Sequence, residues 1–94
     1  MHNPTLDALP GGDIVAEGLR DLEARVESAP ALLVSIGAAR LRSAGIEVAE
    51  EFGDPERRLY DLLARDDANS AHGRYNALVR RLVSFERAVE CERP

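Results

Sequence analysis

Apolar residues recur at helical spacing in two stretches of the chain. Val15, Leu19, Leu22 and Val26 are separated by four, three and four positions, and Tyr75, Leu78, Leu82, Phe85 and Val89 by three, four, three and four. Such intervals place side chains on one face of an α-helix. Opposite the first stripe fall Glu17, Arg20, Asp21, Glu23 and Arg25. Asp13, directly after the Gly11-Gly12 break, is positioned to cap that helix, and Asp21 and Arg25 are spaced to pair across one turn. In the second stretch Val79 and Val83 widen the stripe, Ser70 stands as the cap, and the helix is predicted to run to about Glu90.

Two further helices are predicted between these. Ser28-Ala29-Pro30 ends one helix and starts the next, because a proline in a first turn loses no hydrogen bond and Ser28 can cap. That helix is expected to reach about Ala44, with Gly45 as a left-handed stop. Its Ala31–Ile36 portion is apolar nearly all round, which suits the middle of a bundle, and Ala31, Ser35 and Ala39 form a row of small residues. Asp54-Pro55-Glu56-Arg57 is a helix start with Asp54 as cap, followed by the stripe Leu59, Leu62 and Leu63 and an end near Arg65. Asp66 to Asn69 is a turn. Residues 46–53 alternate as in a strand, but a lone strand has no partner, so helix or ordered loop is favoured.

The pattern therefore predicts an all-α fold, a small antiparallel three- to four-helix bundle with a mobile N-terminal leader. The divisions are a leader over residues 1–12, whose Leu6 and Leu9 can dock on the bundle, a bundle over 13–90 and a tail over 91–94. At 94 residues there is room for one core, and so short a chain buries only about 60% of its unfolded surface. Pairing with a second copy or a partner would relieve that shortage. With aromatics at 4% and tryptophan absent, Leu, Val, Ile and Ala must fill the core.

Charge narrows the choice of partner. The net charge is −5, the wrong sign for a general nucleic-acid binder. Residues 1–56 carry eleven acidic and four basic side chains, whereas residues 57–94 carry six and eight. All 12 basic residues are arginines, a usage that fits a GC-rich bacterial genome. Cys91 is the single cysteine, which excludes an internal disulfide. The longest apolar run, Ala29 to Ala39, has eleven residues, and a membrane span needs about 20. With no signal-peptide pattern, a cytoplasmic location is expected and no membrane partner.

Reactive constellations are sparse. The only histidines are His2 and His72, and neither has a second His or Cys at helical spacing, so no metal site and no cofactor are expected. No serine-histidine-aspartate set is identifiable, and Gly11-Gly12 lacks the remainder of a phosphate loop. Glu50-Glu51 and Asp66-Asp67 are expected to be solvated, and Cys91 is given no catalytic role. Arg65 is followed after six residues by His72, with the polar Asp66 next to the arginine. This spacing resembles the Arg/His signature of the HEPN ribonucleases, which are helical bundles. The resemblance covers eight residues and implies that Arg65 and His72 act together on an RNA phosphodiester.

Arg74 and Arg81 are seven positions apart, as are Arg80 and Arg87. Both pairs are read as basic tracks flanking the apolar stripe of the last helix, where the charges of a partner helix would meet them. The acidic first helix, with Glu17, Asp21 and Glu23, is a candidate counterpart within or between molecules. The function expected from the sequence is a non-enzymatic interaction or regulatory module that self-associates (a homo-oligomer) or binds a protein through these four arginines. The alternatives are a nucleic-acid-binding regulator using the same arginines, which the net charge disfavours, and the HEPN-like ribonuclease.

Overall fold

The computed structural model describes residues 8–92. Within them the chain forms five helices and no strand: α1 (Gly12–Glu23), α2 (Ala29–Ile36), α3 (Ala38–Ser43), α4 (Pro55–Asp66) and α5 (Ala71–Glu92). They make a small helical bundle. Most of the predicted leader, including Leu6, lies outside the described residues, but Leu9 packs against the core and Gly12 already belongs to α1. At the other end α5 continues through Glu92, and residues 93–94 lie outside the described part.

The helix without a polar face is the central one. Ala31, Leu32, Leu33, Val34 and Ser35 of α2 are all buried, and α1, α4 and α5 pack around them. Val15 and Leu22 come in from α1, Leu59 and Leu63 from α4, and Leu82, Phe85 and Val89 from α5. Small residues set the separations. A Cβ on Gly18 would lie 2.3 Å from the Pro30 carbonyl oxygen, so α1 and the start of α2 touch backbone to backbone there. Ser28 caps α2 as predicted, its hydroxyl oxygen accepting the Ala31 amide at 3.2 Å.

Several local expectations are corrected. Asp13 does not cap α1. The cap position is held by Gly11 at φ 74, without a side-chain bond, and a Cβ there would lie 2.4 Å from the Arg81 carbonyl oxygen. Only a residue without a side chain can hold that turn against α5. Nor do Asp21 and Arg25 pair. The helix stops at Glu23, Arg25 takes a left-handed φ of 59, and Asp21 instead accepts a hydrogen bond from the Ser28 hydroxyl at 2.7 Å. Val26, beyond the helix end, is left 50% exposed. Asp54 sits at the start of α4 in a left-handed conformation (φ 51) with no side-chain cap.

The predicted long second helix is broken at Gly37 into α2 and α3, where Leu82 and the Glu86 carboxylate of α5 press against the backbone. Gly45, at φ 91, follows the end of α3 in the left-handed turn expected of it. Residues 46–53 form no helix; they are the ordered loop. Arg42 donates to the Val48 and Ala49 carbonyls at 3.1 and 2.9 Å and to the Glu51 carboxylate at 2.8 Å. Arg25 lies over the Phe52 ring, 4.5 Å from its centroid, and donates to the Glu50 carbonyl. The buried Ser35 hydroxyl donates to the Ala31 carbonyl and accepts the Phe52 amide. Polar side chains thus hold a segment whose own pattern was ambiguous. No helix among the described residues is long and apolar enough to cross a membrane.

Candidate functional site

The four arginines of α5 divide into two unequal pairs. Arg74 donates to Asp66, at the end of α4, at 2.7 Å. One turned nitrogen of Arg81 reaches both carboxylate oxygens of Asp13 in α1, at 2.8 and 3.0 Å. That hydrogen bond is the main influence holding the Asp13 carboxyl below its ordinary range. Arg80 and Arg87 are exposed; the charge of Arg87 acts on Glu90, but neither arginine makes a hydrogen bond or a close ion pair among the described residues. The expectation of tracks on both flanks of the stripe is corrected. Arg74 and Arg81 border the buried face, whereas Arg80 and Arg87 lie on the solvent side, some 100° further round the helix at about 100° per residue. Of the acidic residues of the first helix, only Asp13 pairs with an arginine of α5 among the described residues. Glu17 and Glu23 have no basic partner among the described residues.

Arg74 and Arg81 stand over an open groove of about 290 Å³ lined by Ala29, Leu63, Ala77 and Leu78 together with the two arginines. Leu63 is the buried floor, while Ala29, Ala77 and Leu78 remain half-buried. Arg74 comes to this edge because Ser70 starts α5 directly after the turn that follows Asp66, and the next two helical turns carry Ala77-Leu78 and then Arg81. Asp13 and Asp66 are 76% and 69% exposed, and ion pairs so open to water contribute about 1 kcal/mol or less. Either carboxylate can therefore be exchanged for another at little cost. A second depression of about 490 Å³ is lined by Glu27, Arg58, Asp61, Ala64 and Arg65, with Glu27 and Arg58 3.7 Å apart.

Arg65 and His72 are not brought together by any bond among the described residues. Arg65 is in the last turn of α4 and lines the second depression. His72 is in the first turn of α5, where it shares a hydrogen bond with Asn76 at 3.2 Å and meets the Tyr60 ring edge-on at 6.5 Å. Tyr60 also packs against Tyr75, whose centroid lies 5.8 Å away, and burial raises the Tyr75 hydroxyl. Cys91 is a free, exposed thiol. No group of three or more His, Cys, Asp or Glu able to hold a metal ion occurs among the described residues.

The sequence reading missed one polar cluster altogether. Arg40 of α3 forks onto Glu90 at 2.7 and 2.9 Å and reaches the buried Glu86 at 3.2 Å. Burial pushes the Glu86 carboxyl above its ordinary value, while the Arg40 charge opposes the rise and Glu90 adds to it. A carboxyl with a raised folded value contributes stability in acid and loses it as pH rises through that value. Glu86→Gln, which cannot ionise, is therefore expected to gain in Tm relative to the wild type as pH rises from about 4, near the unfolded glutamate value, to neutrality. A Tm difference that shrinks with rising pH would contradict this account.

Comparison with protein-family models, curated proteins and solved structures finds no match to the chain.

Proposed function

We propose that this protein is a non-enzymatic protein-interaction module whose docking surface is the groove beneath Arg74 and Arg81. One observation carries the reading. Two guanidinium groups seven residues apart, about 10 Å along the helix axis, overhang an apolar floor of Ala29, Leu63, Ala77 and Leu78. The chemistry that fits is a helix with small apolar residues over its middle and carboxylates toward each end, its own or those of a segment beside it, since planar guanidinium forks suit carboxylates. Apolar contact at the centre supplies affinity, and the charges at the ends set register.

The test is a photo-crosslinking amino acid in place of Ala77, with the adduct identified by mass spectrometry. The expected product is a helical polypeptide segment with carboxylates on it or held beside it by its own fold, and Arg74→Glu/Arg81→Glu should reduce its yield at least about tenfold, as for loss of a pair of interface charges. Adducts to nucleic acid alone would instead favour a phosphate backbone lying along Arg80 and Arg87. An absence of any polypeptide adduct removes the proposal.

A further inference from the structure

We infer that the helix received by this groove is α5 of a second copy, packed antiparallel about a two-fold axis that passes between Ala77 and Leu78. This rests on the reading of the groove as a protein-docking surface and names its occupant. A two-fold interface must be complementary to itself, because one patch serves both subunits. The α5 edge has that property. Ala77 and Leu78 are the midpoint between Arg74 and Arg81, so the two arginines stand at equal distances from the axis. Antiparallel pairing about this point brings Arg74 of one copy to the position of Arg81 in the other.

Two arginines alone would repel there, but neither arrives alone. Arg74 carries Asp66 at 2.7 Å and Arg81 carries Asp13 at 2.8 Å. Each end of the interface therefore gathers two guanidinium groups and two carboxylates, which sum to zero charge. Within that ring Arg74 can reach the partner's Asp13 while Asp66 accepts from the partner's Arg81. A foreign helix would have to bring its own carboxylates to this arrangement, whereas a second copy already carries them beside each arginine. The neutral sum also removes the attraction that a phosphate backbone would need at this edge. At the centre, Ala77 has a side chain small enough for two helix axes to approach to about 8 Å. Leu78, half-buried in the monomer, gains cover. The overlap spans only residues 71–84 of each α5, so the interface falls below about 1,200 Å² and the affinity should be modest, in the micromolar range.

The test uses the full chain. Sedimentation equilibrium of the wild type should show mass rising from monomer to dimer with concentration, and Ala77→Glu, which sets like charges against each other at the axis, should abolish the rise. A second variant guards against a folding defect in the first. Ala77→Cys in a Cys91→Ser background places two thiols beside the axis, within the Cα separation of about 4.4–6.8 Å that a disulfide requires. It should form a covalent dimer under mild oxidation at least tenfold faster than Arg80→Cys in the same background. A wild type that stays monomeric, a dimer indifferent to Ala77→Glu, or equal crosslinking at positions 77 and 80 overturns the inference. If self-pairing fails while photo-crosslinking at position 77 still captures an acidic helix of another protein, the docking surface stands and only its occupant is wrong. If both fail, both claims fall.

Discussion

Phe85→Ala is expected to remove a large part of the stability of the fold. Phe85 is fully buried and is the largest side chain so enclosed among the described residues. It projects from α5 into the centre of the bundle, with the Gly11 turn packed against its Cβ. Truncating a buried phenylalanine costs about 3–5 kcal/mol, because transfer free energy is lost and the cavity does not close. A domain of this size holds about 5–15 kcal/mol in total, so about a fifth or more of the margin disappears. At about 4–8 °C per kcal/mol, a thermal melt followed by circular dichroism should show Tm falling by at least about 12 °C. A change of only two or three degrees would mean that α5 is not anchored as described.

The second large effect is expected at Gly18. Its place in α1 faces the Pro30 carbonyl oxygen, 2.3 Å from where a Cβ would stand, and the Val34 side chain, 2.8 Å away. The obstacle is mainly backbone at the start of α2, so it cannot rotate aside as a side chain would. Gly18→Val must push α1 and α2 apart along their shared face, and forced overpacking of this kind costs about 1–3 kcal/mol or more. Gly73→Ala is the natural control. Gly73 is also helical, yet nothing lies within 4 Å of its would-be Cβ. There the helix preference for alanine should prevail, stabilising by up to about 1 kcal/mol. Urea titrations of the two variants should move in opposite directions, and a Gly18→Val midpoint equal to the wild type would contradict the backbone contact.

These contrasts show which features the chain announces. The burial of α2 was legible because Ala31–Ile36 offers no polar face at all, and the α5 stripe because five apolar residues keep step with the helical turn. The Ser28 cap and the Pro55 start were legible from the same local chemistry. The caps expected of Asp13 and Asp54 were not met, although their residue type was right. In the first case α1 begins at Gly12 with the left-handed Gly11 as its cap, so Asp13 already lies within the first turn, and in the second Asp54 is itself left-handed and makes no side-chain cap bond. Arg25 departs from its predicted pairing for a similar reason: once α1 stops at Glu23, its guanidinium is drawn to Phe52 and the Glu50 carbonyl.

The candidate site divides along the same line. Four arginines at seven-residue intervals were visible in the sequence as tracks, but nothing local separates Arg74 and Arg81 from Arg80 and Arg87. Their difference comes from Asp13, 68 positions from Arg81, and from Leu63 and Ala29, which supply the groove on other helices. Glu86 carried no sign of burial, since its partner Arg40 is 46 positions away.

Helix type, approximate helix limits and the identity of most core residues follow from the order of side chains alone, because they depend on periodicity over one or two turns and on the chemistry of neighbouring residues. The break at Gly37, the close approach at Gly18, the burial of Glu86 and the union of Asp13, Asp66, Arg74 and Arg81 around one groove were settled by packing. Each requires backbone or charged groups from distant segments to occupy the same space, and no pattern within a single segment encodes which of them will meet.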